Sequence, residues 1–400
     1  MLNNRAIFLN HQAQTSQFPV MLEIDRGEGV HLYDPKGKAY IDLISGISVS
    51  SLGHCHPKVV EAVQHQAGQL MHAMVYGEYV LSPQAQLAQK LTEQLPDQLD
   101  CVYLVNSGTE ATEGAMKLAK RFTGRHEIIS CFNAYHGSTQ GAMSLNSDAY
   151  YTQSYLPLLP GIKHIKFNCF KGLERKISKQ TAAVIVETVQ AESGVCLPAD
   201  GYLKKLRQRC DETGTLLIFD EIQVGMGRTG SLFAFEQYDV VPDILLLAKA
   251  LGGGMPIGAF VANHQTMQVF TDHPSLGHIT TFGGHPVPCA AALANLEVLV
   301  ESDFIQQVPA KAALIRSLLE HPAILDIRNA GFLMAVELES FELVQDVIHR
   351  AMTKGVIVDW FLFNSKCIRI APPLIITEEE IKTACVALLE AIDEAYRNLL

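Results

Sequence analysis

From about residue 100 the chain repeats one pattern: a short, nearly unbroken apolar run, then a helix-like segment, then another run. The runs are VYLV (102–105), EIISCF (127–132), AAVIVE (182–187), TLLIF (215–219), DILLLA (243–248) and IGAFVA (257–262). A strand with one wet face alternates apolar and polar residues, whereas a strand buried on both faces does not. The runs therefore demand a sheet covered on both sides. Segments such as TEATEGAMKLAKRF (109–122) and GYLKKLRQRCDET (201–213) supply the covering helices, and Gly214 stands where the second should stop. The expected class is α/β, with a large, mostly parallel mixed sheet.

After about residue 305 the texture changes. A helix over 307–320, short strands FLMAVEL (332–338), VIVDW (356–360) and CIRI (367–370), and a long helix from Thr377 predict a smaller α+β domain. Near the amino terminus, GVHLYDPKGKAYIDL reads as a hairpin turning at DPKGK. With 400 residues, 48% hydrophobic and 18% charged, the chain has enough apolar material to fold throughout.

The net charge of -11, without any run of basic residues, leaves no electrostatic footprint for nucleic acid or an anionic membrane surface. The first twenty residues lack the zones of a signal peptide and no apolar run is long enough to span a bilayer, so a cytoplasmic location is expected. Nine scattered cysteines without a C-x-x-C pair read as reduced, mostly buried small hydrophobes. In GHCHP, His54, Cys55 and His56 are all potential ligands, but neighbours on one turn rarely converge on an ion and no second cluster has ligand spacing. No metal is expected.

In an open parallel sheet, ligands sit beyond the carboxyl ends of the strands. Ser107, Gly108 and Thr109 follow VYLV and lead into a helix, so they form either an ordinary cap or an anion site suited to phosphate. Asp220 and Glu221 follow TLLIF; an acid pair there is either solvated or serves a cationic ring nitrogen. Between Asp243 and Asn263, Lys249 is the only charged side chain, and LGGGMPIG follows it closely. A lysine there either snorkels to water or is kept for its amine, which desolvation would free as a nucleophile. Phosphate cap, carboxylate and lysine are together the three handles of pyridoxal 5′-phosphate.

Eight stretches in one order carry a wider likeness: DLISGISVSSLGHCHPKVVEAV, NSGTEATEGAMKLAK, AYHGST, VETVQAESG, LLIFDEIQVGMGRTG, LLLAKALGGGMPIGA, TTFGGHPVPCAAALA and IRIAPPL. The chain resembles the class III, or ornithine-type, pyridoxal-phosphate aminotransferases, and within them the acetylornithine, succinylornithine and ornithine branch. The resemblance implies a fold type I transferase, with a large domain over 61–304 and a small α+β domain made by the termini, 1–60 joining 305–400.

It also implies roles. Lys249 matches the lysine that binds the cofactor covalently and shuttles the substrate proton. Asp220 matches the partner of the ring nitrogen, Gln223 that of the phenolic oxygen, and Tyr135 the aromatic on the ring face. Ser107, Gly108 and Thr109 match the phosphate loop. Thr281, with Thr280 beside it, matches a threonine that reaches the phosphate of the neighbouring subunit, which implies a homodimer with shared sites. Glu192 and Arg369 match a pair in which the glutamate masks the arginine until a dicarboxylate such as 2-oxoglutarate arrives.

The implied reaction moves the terminal amino group of an ornithine-type donor (N-acetylornithine, N-succinylornithine or ornithine) to 2-oxoglutarate, giving a semialdehyde and glutamate, with another ω-amine such as 4-aminobutyrate or a polyamine as the alternative donor. Two departures stand out. Thr188 occupies a position where the family commonly has proline, and Ser138 one where the ornithine branch usually has arginine for the donor's carboxylate.

Overall fold

The computed structural model describes residues 4–398. Strands β1 (Arg26–Glu28), β2 (His31–Tyr33) and β3 (Ala39–Asp42) form an antiparallel meander. Its second turn falls at DPKGK because Asp34 Oδ1 accepts the N–H groups of Lys36 and Lys38, both at 2.9 Å, and Gly37 supplies the positive φ.

The large sheet contains β4 (Cys101–Val105), β5 (Glu127–Cys131), β6 (Ile162–Ile165), β7 (Thr181–Glu187), β8 (Leu216–Asp220), β9 (Ile244–Leu247) and β10 (Gly258–Ala262), in the order β4-β10-β9-β8-β7-β5-β6. Only β10 runs against its neighbours, so the sheet is mixed but mostly parallel. The unbroken apolar runs are explained by packing on both faces. Ile185, Ile218 and Leu246 enter one core, while Val184, Val186, Leu217, Phe219, Leu245 and Leu247 enter the other. Helix Gly108–Thr123 covers the first face with Ala111, Ala115, Met116, Leu118 and Ala119 and ends on Gly124 in the left-handed conformation.

A second antiparallel sheet holds β11 (Asp326–Ala330), β12 (Leu333–Glu337), β14 (Asp359–Phe361) and β15 (Asn364–Ile370) in the order β11-β12-β15-β14. Strand β13 (Val356–Ile357) instead pairs in parallel with β3, tying the amino-terminal meander to the carboxyl-terminal part of the chain. The run expected as one strand over 356–360 is thus two short strands in different sheets, with buried Val358 between them. Helix Phe304–Leu318 begins three residues before the expected start, and Glu378–Arg397 begins where expected, behind a capping box of Thr377 and Glu380. Among the described residues no helix is long and apolar enough to cross a membrane.

Candidate active site

Strands β4, β7, β8 and β9 deliver polar residues at their carboxyl ends to one cavity of about 430 Å³. After β4, Ser107 caps helix Gly108–Thr123, its hydroxyl accepting the Glu110 N–H at 3.3 Å. Glu110 in turn accepts the Asn106 N–H at 2.6 Å. Gly108 is glycine for close approach: a Cβ there would meet Ile222 Cδ1 at 2.9 Å. Thr109 Oγ1 lies 2.7 Å from Thr139 Oγ1. The free N–H groups and positive dipole end of a sixteen-residue helix therefore face the cavity.

Strand β8 ends on Asp220, which is 4% exposed. Its Oδ1 accepts the Ile222 N–H at 3.0 Å and its Oδ2 pairs with His136 Nδ1 at 2.7 Å. Strand β7 ends on buried Glu187, in direct register with Asp220. Burial first, and then the neighbouring Asp220, raise the Glu187 carboxyl well above the carboxylate range. Past β9, half-buried Lys249 takes a left-handed backbone with φ of 45°. Burial lowers the pKa of its amine, against the pull of Glu192 and Asp220.

Beside the cavity lies a buried arginine. Arg369 Nη1 and Nη2 donate to Glu192 at 2.7 and 3.3 Å, Nε donates to Asp359 at 3.0 Å, and Nη2 also donates to the Trp360 carbonyl at 2.7 Å. The Phe361 ring centroid is 4.6 Å from the guanidinium carbon. The Gln223 amide bridges the pair when its nitrogen faces Glu192 at 3.2 Å and its oxygen faces Arg369 at 3.0 Å. Arg369 holds the Glu192 carboxyl below its ordinary value despite burial.

Ser107, Gly108, Thr109, Tyr135, Asp220, Gln223 and Lys249 all line the cavity. Ser138 stands one step outside, its hydroxyl 2.9 Å from the Tyr135 hydroxyl. Thr280 accepts from Asn106 Nδ2 at 2.8 Å, but Thr281 is exposed and not brought to the cavity of its own chain. His136, Glu187 and Asp359 were not singled out from sequence. His136 sits inside AYHGST and Glu187 closes AAVIVE, so each had a positional signal; Asp359 had only its place in VIVDW. His54 of GHCHP pairs with Asp42 at 2.9 Å, and among the described residues no cluster of three or more potential ligands is arranged for a metal.

Residues 12–392 match the family Aminotransferase class-III, and the chain belongs to it. It is 41% identical to acetylornithine aminotransferase of Methanopyrus kandleri over 386 residues, 96% of each chain. To the acetylornithine aminotransferase of Methanocaldococcus jannaschii it is 40% identical over 395 residues, 96% of this chain and 95% of the relative. The ornithine aminotransferase of Toxoplasma gondii superposes with a TM-score of 0.91 at 31% identity, covering 98% of this chain and 94% of that one. A PLP-bound amine transaminase from an uncultivated Pseudomonas species gives 0.90 at 26% identity, covering 96% and 98%.

The enzyme is thus a class III, or ornithine-type, aminotransferase, and its cofactor is pyridoxal 5′-phosphate. The residues present fit that group. A helix N-terminus suits its phosphate, a buried carboxylate its ring nitrogen and a low-pKa amine its aldehyde, and all three open on one cavity.

Proposed function

We propose that the enzyme moves the terminal amino group of an ornithine-type donor, namely N-acetylornithine, N-succinylornithine or ornithine, to 2-oxoglutarate, giving a semialdehyde and glutamate. The observation that carries this reading is the buried Arg369 gripped by Glu192 beside the cavity. Neutralised by Glu192, the arginine tolerates an amine donor with no carboxylate at that point. Once Glu192 turns away, the guanidinium fork accepts a carboxylate in its place. Two substrates of different charge then share one site, and an aminomutase would not need the exchange.

When bound, the cofactor supplies an electron sink for the electrons released as the substrate C–H bond breaks. Lys249 is the group to hold it between turnovers and to take and return the substrate proton. Asp220, backed by His136, would keep a proton on the ring nitrogen. Ser107, Gly108 and Thr109 would hold the phosphate, and Tyr135 and Gln223 would hold the ring from the cavity wall. Thr281, exposed on its own chain, would reach the phosphate across a homodimer, with Thr280 beside it. The pairing of β3 with β13 supports treating 1–60 with 305–400 as the small domain and 61–304 as the large one.

Ser138 favours a second reading, in which the donor is 4-aminobutyrate or a polyamine. Its hydroxyl is a single neutral group already bonded to Tyr135, and Lys249 is the one lysine or arginine among the described residues lining the cavity. A bidentate arginine contact to a donor carboxylate is worth roughly 2–4 kcal/mol in a desolvated site. The test is glutamate formation from 2-oxoglutarate with acetylornithine, succinylornithine, ornithine, 4-aminobutyrate and putrescine in turn. Glutamate from an ornithine-type donor is expected; turnover confined to the last two would refute the proposal in favour of the second reading. Ser138→Arg should improve the use of acetylornithine if the carboxylate contact is missing, and should harm it if serine belongs to a rebuilt site.

A further inference from the structure

Two carboxyls lie side by side at the ends of β7 and β8, and the chemistry proposed above employs only Asp220. Glu187 is 6% exposed. Its Oε1 accepts the backbone N–H of Tyr135 at 3.3 Å, and its Oε2 accepts that of Ala191 at 2.9 Å. Those N–H groups belong to different loops. Tyr135 lies in the loop after β5 and carries the ring beside the cavity, and Ala191 immediately precedes Glu192. Burying a carboxyl is costly, and an apolar side chain would serve a purely packed position better. What an apolar side chain could not do is hold two loops with one group.

We infer that Glu187 is a positioning residue that clamps the Tyr135 loop to the hinge of the Glu192 gate, fixing the cavity wall and the masked state of Arg369 together. The inference rests on the reading of Glu192 as the mask of Arg369. On the far side Glu192 is held independently: its Oε2 accepts the Leu362 N–H at 3.0 Å and its carbonyl accepts the Phe363 N–H at 3.0 Å. Arg369 likewise keeps its seat on Asp359 and Trp360. Loosening the hinge therefore releases one of the two ends that hold Glu192 without unseating the arginine, and the mask weakens because the loosened end must be ordered to close it.

The probe is glutarate, a dicarboxylate with no reacting group, titrated into the holoenzyme by the change in visible circular dichroism. E192A should bind glutarate more tightly than wild type. E187A should also bind it more tightly, by about tenfold, the scale of one buried hydrogen bond, and should alter the dichroic band before glutarate is added because the Tyr135 wall shifts. E187Q keeps the volume and one accepting oxygen, so it should give a smaller change in the same direction, and it decides the matter if E187A does not fold. A merely structural role would loosen the whole site and weaken glutarate binding. Wild-type or weaker binding in the E187 variants alongside tighter binding in E192A overturns the clamp. If E192A also leaves glutarate binding unchanged, the mask itself fails and the clamp with it.

Discussion

Gly137→Ala is the substitution whose cost the structure fixes most closely. Gly137 lines the cavity with φ of 128°, in the region that side chains disfavour, and a Cβ there would sit 2.3 Å from Thr109 Oγ1 and 2.9 Å from Thr109 Cα. The hydroxyl could rotate; the backbone Cα opens the helix and cannot. Strained φ/ψ costs about 1–3 kcal/mol and overpacking about 1–3 kcal/mol more, so the variant should lose roughly 2–6 kcal/mol. For 400 residues the unfolding entropy is about 0.8 kcal/mol per degree, which turns that loss into a fall of roughly 2–7 °C in the melting midpoint. The second effect is local. Gly137 joins His136, the partner of Asp220, to Ser138, and any shift of Thr109 would disturb the loop proposed to hold the phosphate. Cofactor affinity should drop at least about tenfold, the scale of one charge-assisted hydrogen bond. Reconstitution of the cofactor-free enzyme, followed by protein fluorescence and by thermal melting, reads both quantities. A midpoint within about 1 °C of wild type, together with unchanged cofactor affinity, would refute the reasoning.

Mixing Lys249→Ala with Thr281→Ala subunits should restore activity through hybrid dimers in which one site carries both lesions and the other neither; no recovery would mean that Thr281 serves its own chain or neither. Buried Glu221 makes a pH prediction: burial raises its carboxyl to about 8, so the folded state binds its proton more tightly than the unfolded state does. The resulting stabilisation is complete below the ordinary value of 4.5 and is lost as pH rises through about 8. The melting midpoint of wild type relative to Glu221→Gln should therefore fall across that window, and a difference independent of pH would contradict the prediction.

The strands most legible in the sequence were those buried on both faces, because their apolar runs have no competing reading. Strands β6, IKHI, and β11, DIRNA, escaped notice for the opposite reason: each lies at the edge of its sheet and carries charged or polar residues that resemble loop. VIVDW read as one strand because apolar content does not record a change of partner at Val358. In the site, Lys249 and Asp220 were conspicuous as charges at the ends of apolar strands. The Asp220–His136 pair joins residues 84 apart and the Glu192–Arg369 pair residues 177 apart. No local spacing could link them. Family likeness supplied the second pair, and only coordinates supplied the first.

The division of VIVDW has a chemical consequence. By leaving β3 and crossing to β15, the chain places Asp359 in register with Arg369, giving the guanidinium one carboxylate from the small sheet and another, Glu192, from the loop after β7. The two are not equivalent. Burial raises the Asp359 carboxyl to about 6 even though Arg369 pulls it down, whereas Glu192 is held below its ordinary value. Glu192 takes two guanidinium hydrogen bonds, at 2.7 and 3.3 Å, and Asp359 one, at 3.0 Å, so Glu192 is the firmer partner by geometry and Asp359 serves as a fixed seat. In the proposed reaction the carboxylate of 2-oxoglutarate replaces Glu192 while Asp359 stays, so one carboxylate is exchanged for another on the same buried cation. Desolvation of Arg369 is met before substrate arrives and again while it is bound, and at neither point is the guanidinium left buried and unpaired. In the proposed reaction that equality would let a 2%-exposed arginine bind and release a dicarboxylate in every cycle: the difference between masked and bound states stays small, although each ion pair alone is strong.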